Sequence, residues 1–389
     1  SAVEAGSAGP ASLRVTLQAA PMTHAPRFRR RLPAVFGLGC LLAALAACDG
    51  ARPRTPDEVH AALLRKLPAT LHDREGWARD VQAAFAALEI EPSDANLCAA
   101  LAVVEQESTY RADPPVPGLG RIALAEIKRR AAARHVPAFA VDAALALRAP
   151  DGRSWAQRLE ALRTERELSA LFEEMIARLP LGSGRLLAGL NPVRTGGPMQ
   201  VSVAFAERHA RGYPYTVQGS IRHEVFTRRG GLYFGIRHLL DYPADYDRPL
   251  HRFADFNAGR YASRNAAFQQ AVAIATGTRL VRDGDLLAPG APMDRPGATE
   301  AALRGIDVRL AMDAAAIRAD LAKGHGADFA STALYRSVYA IADAAGSGKP
   351  VPRARVPDIA LSSPKITRPL TTAWFAGRVD ARWKACLAR

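Results

Sequence analysis

The sequence predicts a mainly helical protein. Apolar residues recur at three- and four-residue spacing through most of the chain beyond residue 56, and the extended stretches between them are short and bounded by glycine or proline. One run, residues 97–104, is apolar on every side. A helix without a polar face has to be buried all round, so this run marks the centre of a core. At 389 residues and 49% hydrophobic composition the chain is long enough for one large domain with additions, or for two domains. It carries no internal repeat.

Residues 1–21 are low in complexity and lie ahead of Met22, which reads as the natural start. Arg27, Arg29, Arg30 and Arg31 precede an apolar stretch, residues 32–47, that is too short for a membrane span and ends in Leu45-Ala46-Ala47-Cys48. Basic, apolar and small-residue segments followed at once by cysteine resemble a bacterial lipoprotein signal; the competing readings are an ordinary signal peptide and a short anchor. The resemblance implies cleavage before Cys48, a diacylglyceryl group on its thiol, and a lipid-anchored cell-envelope lipoprotein facing the periplasm, since two acyl chains hold where one is marginal. Asp49 resembles the inner-membrane retention signal of enteric bacteria, a rule other bacteria do not share, so inner versus outer membrane stays open. Loss of residues 1–47 removes five arginines and one glutamate, and the formal charge of +14 falls to about +10. Such a chain suits anionic lipid headgroups, cell-wall carboxylates or nucleic acid. The lipoprotein signal favours the first two over nucleic acid, and an arginine- and alanine-rich bias accounts for much of the charge. With Cys40 leaving in the signal and Cys48 carrying lipid, Cys98 and Cys386 remain, either paired in an oxidising periplasm or as two separate buried thiols.

After a Pro/Arg linker, residues 48–56, amphipathic periodicity predicts helices over 56–67 and 73–88, packed ahead of the apolar run, for which Ser93 after Pro92 is the N-cap. The prolines at 114, 115 and 117 break that helix. Helical periodicity over 121–133, 137–148 and 154–178 makes residues 118–190 a helical insertion. The glycine-rich stretch from 181–184 to 195–198 predicts loops and a small β-hairpin before a helix at 201–210. A short extended piece at 213–217 and helices at 218–227, 231–241 and 264–276 complete a domain spanning 57–279. Residues 280–389 form a C-terminal extension: a turn region, helices near 297–322 and 327–345, a proline-rich extended segment at 346–370, and a final helix over 370–387.

The apolar run ends in Gln106-Glu107-Ser108-Thr109-Tyr110. Glu107 follows Ala100, Val103 and Val104 by seven, four and three residues, so its carboxyl lies among apolar side chains at a helix C-terminus. Desolvation and the negative end of the helix dipole both disfavour the anion, the condition a general acid needs near neutral pH and one that suits glycosidic cleavage. Glu105 follows Cys98, Leu101 and Ala102 by the same rule. Periodicity alone does not choose between the two acids.

Three segments together resemble the lytic transglycosylase and goose-type lysozyme group, which cleaves peptidoglycan glycan strands. Gln106-Glu107-Ser108-Thr109-Tyr110 is similar to the family's Gln-Glu-Ser-x-Phe/Tyr, Gly197-Pro198-Met199-Gln200-Val201 to its Gly-Leu-Met-Gln-hydrophobic, and Phe256-Asn257-Ala258-Gly259 to its Tyr-Asn-Ala-Gly, in the family's order. The resemblance implies a lysozyme-like helical domain with Glu107 as the catalytic acid and Ser108, Met199, Gln200, Phe256 and Asn257 on the substrate side. It implies a single-acid reaction, in which the sugar's N-acetyl group serves as nucleophile and a 1,6-anhydro ring closes, with no metal and no cofactor. Glu107 and Gly197 lie 90 residues apart, which the insertion has to bridge, Pro198 stands where the family has leucine, and Phe256 replaces a tyrosine whose hydroxyl would reach the acid. A catalytically silent peptidoglycan-binding or scaffolding lipoprotein is the rival reading.

Other signals carry less. Six of the nine tyrosines, at 213, 215, 233, 242, 246 and 261, cluster within 50 residues, where core packing is a commoner use than sugar stacking. His223-Glu224 lacks the second histidine of a zinc motif. Gly118-x-Gly120 follows prolines where a strand is needed, and Gly346-x-Gly348-Lys349 lacks the first glycine of a phosphate loop, so no nucleotide partner is expected.

Overall fold

Side-chain caps set the helix boundaries. The computed structural model describes residues 52–178, 191–346, 348–361 and 369–389; Cys48, the signal segment and residues 181–184 lie outside the described residues. Helix α1 (Pro56–Lys66) starts at a Thr55/Glu58 capping box, with proline where an amide would have no partner. Asp73 caps α2 (Arg74–Ala87), and Ser93 caps α3 (Asp94–Ser108), whose residues 97–104 are all buried.

The predicted insertion is helical: α4 (Leu119–Ala132), α5 (Ala138–Ala146), α6 (Trp155–Glu160) and α7 (Glu165–Ala177). The single helix expected over 154–178 is two. Thr164 and Glu167 form a fresh capping box, and the carbonyl of Arg163 accepts the Val116 N–H at 2.8 Å, which pins the break to the loop before α4.

The expected hairpin follows. β1 (Thr195–Gly196) pairs antiparallel with β2 (Val201–Ser202), Thr195 opposite Ser202 and Gly196 opposite Val201. Then come α8 (Val203–Arg208), α9 (Ile221–Val225) and α10 (Arg228–Leu240). Residues 213–217, expected to be extended, form no strand; their path is set by Tyr213, which turns inward to a buried carboxylate. Helix α11 (Pro249–Ala258) was not anticipated, although proline at its first position is a start signal.

Beyond α12 (Ala262–Thr276), the expected helix at 297–322 is divided into α13 (Ala298–Arg304), α14 (Asp307–Leu310) and α15 (Ala314–Ala322). Ala311 takes a left-handed φ of 52° and Asp313 recaps the chain, which together end α14 and start α15. A 3-10 turn (Ala327–Ser331) leads into α16 (Ala333–Ala345). β3 (Ala360–Leu361) pairs with β4 (Leu370–Thr371), and α17 (Thr372–Leu387) closes the chain.

The protein is thus mainly α with small two-stranded hairpins, built on three apolar clusters. The largest gathers α1, α2, α3, β2, α8, α10, α11 and α17. A second lies within the insertion and takes in Val193 and Phe226, and a third joins α12, α13, α15 and α16 around Phe268 and Phe329. The segment after residue 280 is therefore shared between two clusters, because α17 returns to cover α3 and α11. Among the described residues no helix is long and apolar enough to cross a membrane.

Candidate active site

Glu107 sits on the last turn of α3, half-buried, where the helix is ended by two consecutive non-glycine residues in left-handed conformation, Thr109 at φ 50° and Tyr110 at φ 59°. Side chains rarely hold that conformation, and a pair of them turns the chain back sharply. The turn folds the Tyr110 ring into the core, edge-on to Trp77 at 5.5 Å, with its hydroxyl donating to the Leu101 carbonyl at 3.3 Å. Glu105 points elsewhere: its carboxylate lies 3.6 Å from the Arg382 guanidinium and links α3 to α17. Ser108 is buried, its hydroxyl donating to the Val104 carbonyl and accepting from the Arg111 N–H. It closes the helix end.

The hairpin turn packs down onto α10. A Cβ added to Gly235 would lie 2.4 Å from the Met199 sulfur, and one added to Gly231 would lie 2.4 Å from Pro198 Cδ. Gly231 and Gly235 are four apart on one face of α10, and only glycine there admits the turn. Met199 is fully buried in this contact. Gln200, at φ 49°, accepts from the Thr195 hydroxyl and donates to the Gly197 carbonyl, both at 3.3 Å, so its amide braces the turn.

Asn257 ends α11. Its Oδ1 accepts from the Thr372 hydroxyl at 2.9 Å and ties α11 to the first turn of α17. Phe256 stacks at a tilt 5.2 Å from the His238 ring, and its carbonyl lies 3.3 Å from His238 Nε2. Helix α10 packs on α2, α3, β2 and α11, while α17 packs on α3 and α11. The elements bearing the three sequence segments thus share neighbours, with Glu107 and Asn257 partly open and Ser108 and Met199 inside. Cavities of about 190, 390 and 350 Å³ lie elsewhere, and none is lined by Glu107, Gln200 or Asn257.

Three fully buried carboxylates escaped sequence reasoning: Glu300, held by Arg304 and Arg318, and two that lie closer to the candidate segments. Glu224, dismissed as half of a zinc motif, is fully buried and accepts from the Tyr213 hydroxyl at 2.6 Å, the Gln218 N–H at 2.8 Å and both arms of Arg229. Burial works to raise its carboxyl, and Arg229, Tyr213 and Gln218 outweigh it, so it stays below the usual carboxylate range and is an anion that holds structure. Removing Arg229 leaves that charge buried with only neutral donors; Arg229→Ala is expected to cost about 2 kcal/mol in urea unfolding, less than the roughly 3–5 kcal/mol of a fully buried pair because Arg229 is partly exposed. Asp255 differs. It too is fully buried, accepting from the hydroxyls of Tyr242 and Tyr246 and the N–H groups of Tyr261 and Ser263, and burial pushes its carboxyl up. The only outward sign in the sequence was the tyrosine cluster.

His238 lies between Phe205 and Phe256, and burial, with Arg260 beside it, pushes its imidazole down to about 4. His209 and His251 are also lowered, burial being the largest cause in each. With the folded value depressed, the unfolded chain takes the proton first as pH falls. Stability is therefore full above the ordinary histidine value of 6.5 and lost as pH drops towards about 4. A loss of roughly 3 kcal/mol across that window is expected from denaturant titrations, and His238→Phe should remove most of it, His209 and His251 carrying the remainder. No group of three or more His, Cys, Asp or Glu side chains is placed to hold a metal among the described residues.

Residues 70–389 match the family described as Protein of unknown function (DUF1615). The chain is 50% identical over 349 residues to Uncharacterized protein YaiW of Escherichia coli (strain K12), an alignment covering 88% of this chain and 95% of that protein. No solved structure matches.

Proposed function

We propose that this chain, which belongs to the DUF1615 family, is a peptidoglycan lytic transglycosylase that cuts the bond between N-acetylmuramic acid and N-acetylglucosamine. The observation that carries the reading is the placement of Glu107: a half-buried carboxyl at the C-terminal end of an apolar helix, with the Gly197–Gln200 turn and the Asn257 helix end packed on the same neighbouring helices. In the reaction Glu107 gives its proton to the glycosidic oxygen as the bond to C1 breaks, and the N-acetyl carbonyl oxygen attacks C1. The carboxylate then takes the C6 hydroxyl proton, the C6 oxygen displaces the acetamido oxygen, and a 1,6-anhydro ring forms without water. The proton balance needs one acid and no metal.

Lipid attachment through Cys48 would hold the enzyme in the envelope beside its substrate. Labelling with radioactive palmitate should be lost in Cys48→Ala, and retained label would remove the anchor from the reading. For the activity, the full chain is incubated with purified sacculi and the soluble products are weighed by mass spectrometry. Anhydro-muropeptides support the proposal; reducing-end products replace it with a hydrolase. Binding to sacculi without any product favours the second reading, a non-catalytic peptidoglycan-binding or scaffolding lipoprotein. What speaks for that alternative is the internal engagement of Gln200 and Asn257 and the missing hydroxyl at Phe256.

A further inference from the structure

We propose that the cavity of about 390 Å³ between the loop after α10, the start of α12 and the 3-10 turn before α16 is a saccharide-binding site, distinct from the Glu107 region. Three tyrosines line it, Tyr246, Tyr261 and Tyr335. Each ring is fixed from behind. The Tyr246 hydroxyl donates to buried Asp255 at 2.7 Å, and Tyr335 stacks on Phe268 with ring planes 10° apart. Tyr261 holds a left-handed φ of 66° at the head of α12, an unusual conformation for a bulky residue and of the kind found at ligand walls.

The charges around the cavity select the ligand class. Arg264 and Arg353 both border it, and guanidinium groups there oppose a cationic guest. Both have donors already engaged within the protein. Arg264 donates to the carbonyls of Gly324 and Gly326 and to Asn265 Oδ1, with its charge over the Tyr261 ring at 4.3 Å. Arg353 is held by the Asp343 carboxylate at 2.7 Å. Asp245 stands exposed at the rim as an acceptor for hydroxyl donors. Rigid aromatic faces, a rim acceptor and guanidinium groups whose donors are already engaged suit a neutral, polyhydroxylated molecule whose C–H faces lie on the rings, and the volume is that of a small-ligand pocket.

The choice of an N-acetylated aminosugar as guest rests on the peptidoglycan reading; the saccharide class does not. Titration calorimetry on the full chain with chitotriose and, separately, maltotriose tests both. Saturable binding of chitotriose that falls at least threefold in Asp245→Ala and at least tenfold in Tyr335→Ala, with Glu105→Gln unchanged, is the expected result. Binding of maltotriose alone, with the same variant losses, upholds the saccharide site while counting against the peptidoglycan reading. Sacculi left uncut while chitotriose still binds would sink the catalytic proposal and leave this one standing. Tyr335 also touches the core, so Asp245→Ala, at an exposed position, is the variant that separates a lost contact from a lost fold. The proposal is overturned if neither sugar binds, if both variants bind as the parent does, or if adenosine or inorganic phosphate competes the sugar off.

Discussion

Glu107→Gln is expected to release no anhydro-muropeptide from sacculi, a drop of about a thousandfold or more. Loss of a general acid alone costs about 10²- to 10⁴-fold, and in the proposed reaction the same carboxyl acts as acid and then as base. The amide keeps the shape of the side chain, so folding is expected to survive, and a melting temperature within a degree or two of the parent is part of the prediction. Glu105→Gln is the matched control. It stands two residues away on the same helix turn, but its ion pair with Arg382 is long and partly exposed, and its loss should cost well under 1 kcal/mol and leave turnover intact. Equal activity in the Glu107 variant, or equal loss in the Glu105 variant, would take the chemistry away from Glu107.

How far these residues were legible depends on how local their signals are. Helix α3 was visible because an all-apolar run with a serine cap has one stable outcome, a buried helix. The hairpin was visible for a similar reason, since Gly197 takes a φ of 72° that glycine readily holds. The break in the insertion was missed because helical periodicity continues across 161–164, and only the capping box and a bond to Val116 stop the helix there. The engagement of Gln200 and Asn257 was hidden for a different reason. Thr195 is five residues from Gln200, but Thr372 is 115 from Asn257, and a motif shows residue types without showing which partner claims them. Glu224 carries the same lesson, its role set by a tyrosine eleven residues before it and an arginine five after. Sequence reasoning put its candidate residues at helix ends, where the structure also has them, and left open which side chains face outward.

The pairing of Cys98 with Cys386, left open between a disulfide and two thiols, is a disulfide spanning 288 residues. Closing so long a loop restricts the unfolded chain more than any non-covalent contact in the molecule, and chain-entropy scaling puts the gain at about 5 kcal/mol as a ceiling, with 2–4 kcal/mol typical. Cys98→Ala/Cys386→Ala is therefore expected to lower the melting temperature by roughly 10 °C, taking a few degrees per kcal/mol for a domain of this size. The packing loss is small, because both sulfurs are buried and alanine leaves only a minor void. The native fold should persist, since α17 is also held by the Trp383 indole donating to the Ala95 carbonyl, by Arg382 beside Glu105, and by Thr372 on Asn257. That last bond gives the disulfide a route to the proposed site. The helix it fastens to α3 is the one that holds the end of α11, so loosening α17 should weaken sacculus binding or turnover below the melting transition, an effect that pure unfolded-state entropy does not produce. Reductant should reproduce the double variant only after the protein is unfolded, as both sulfurs are closed to solvent. A double variant that melts with the parent would show that the link adds nothing to a helix pair already fixed by packing.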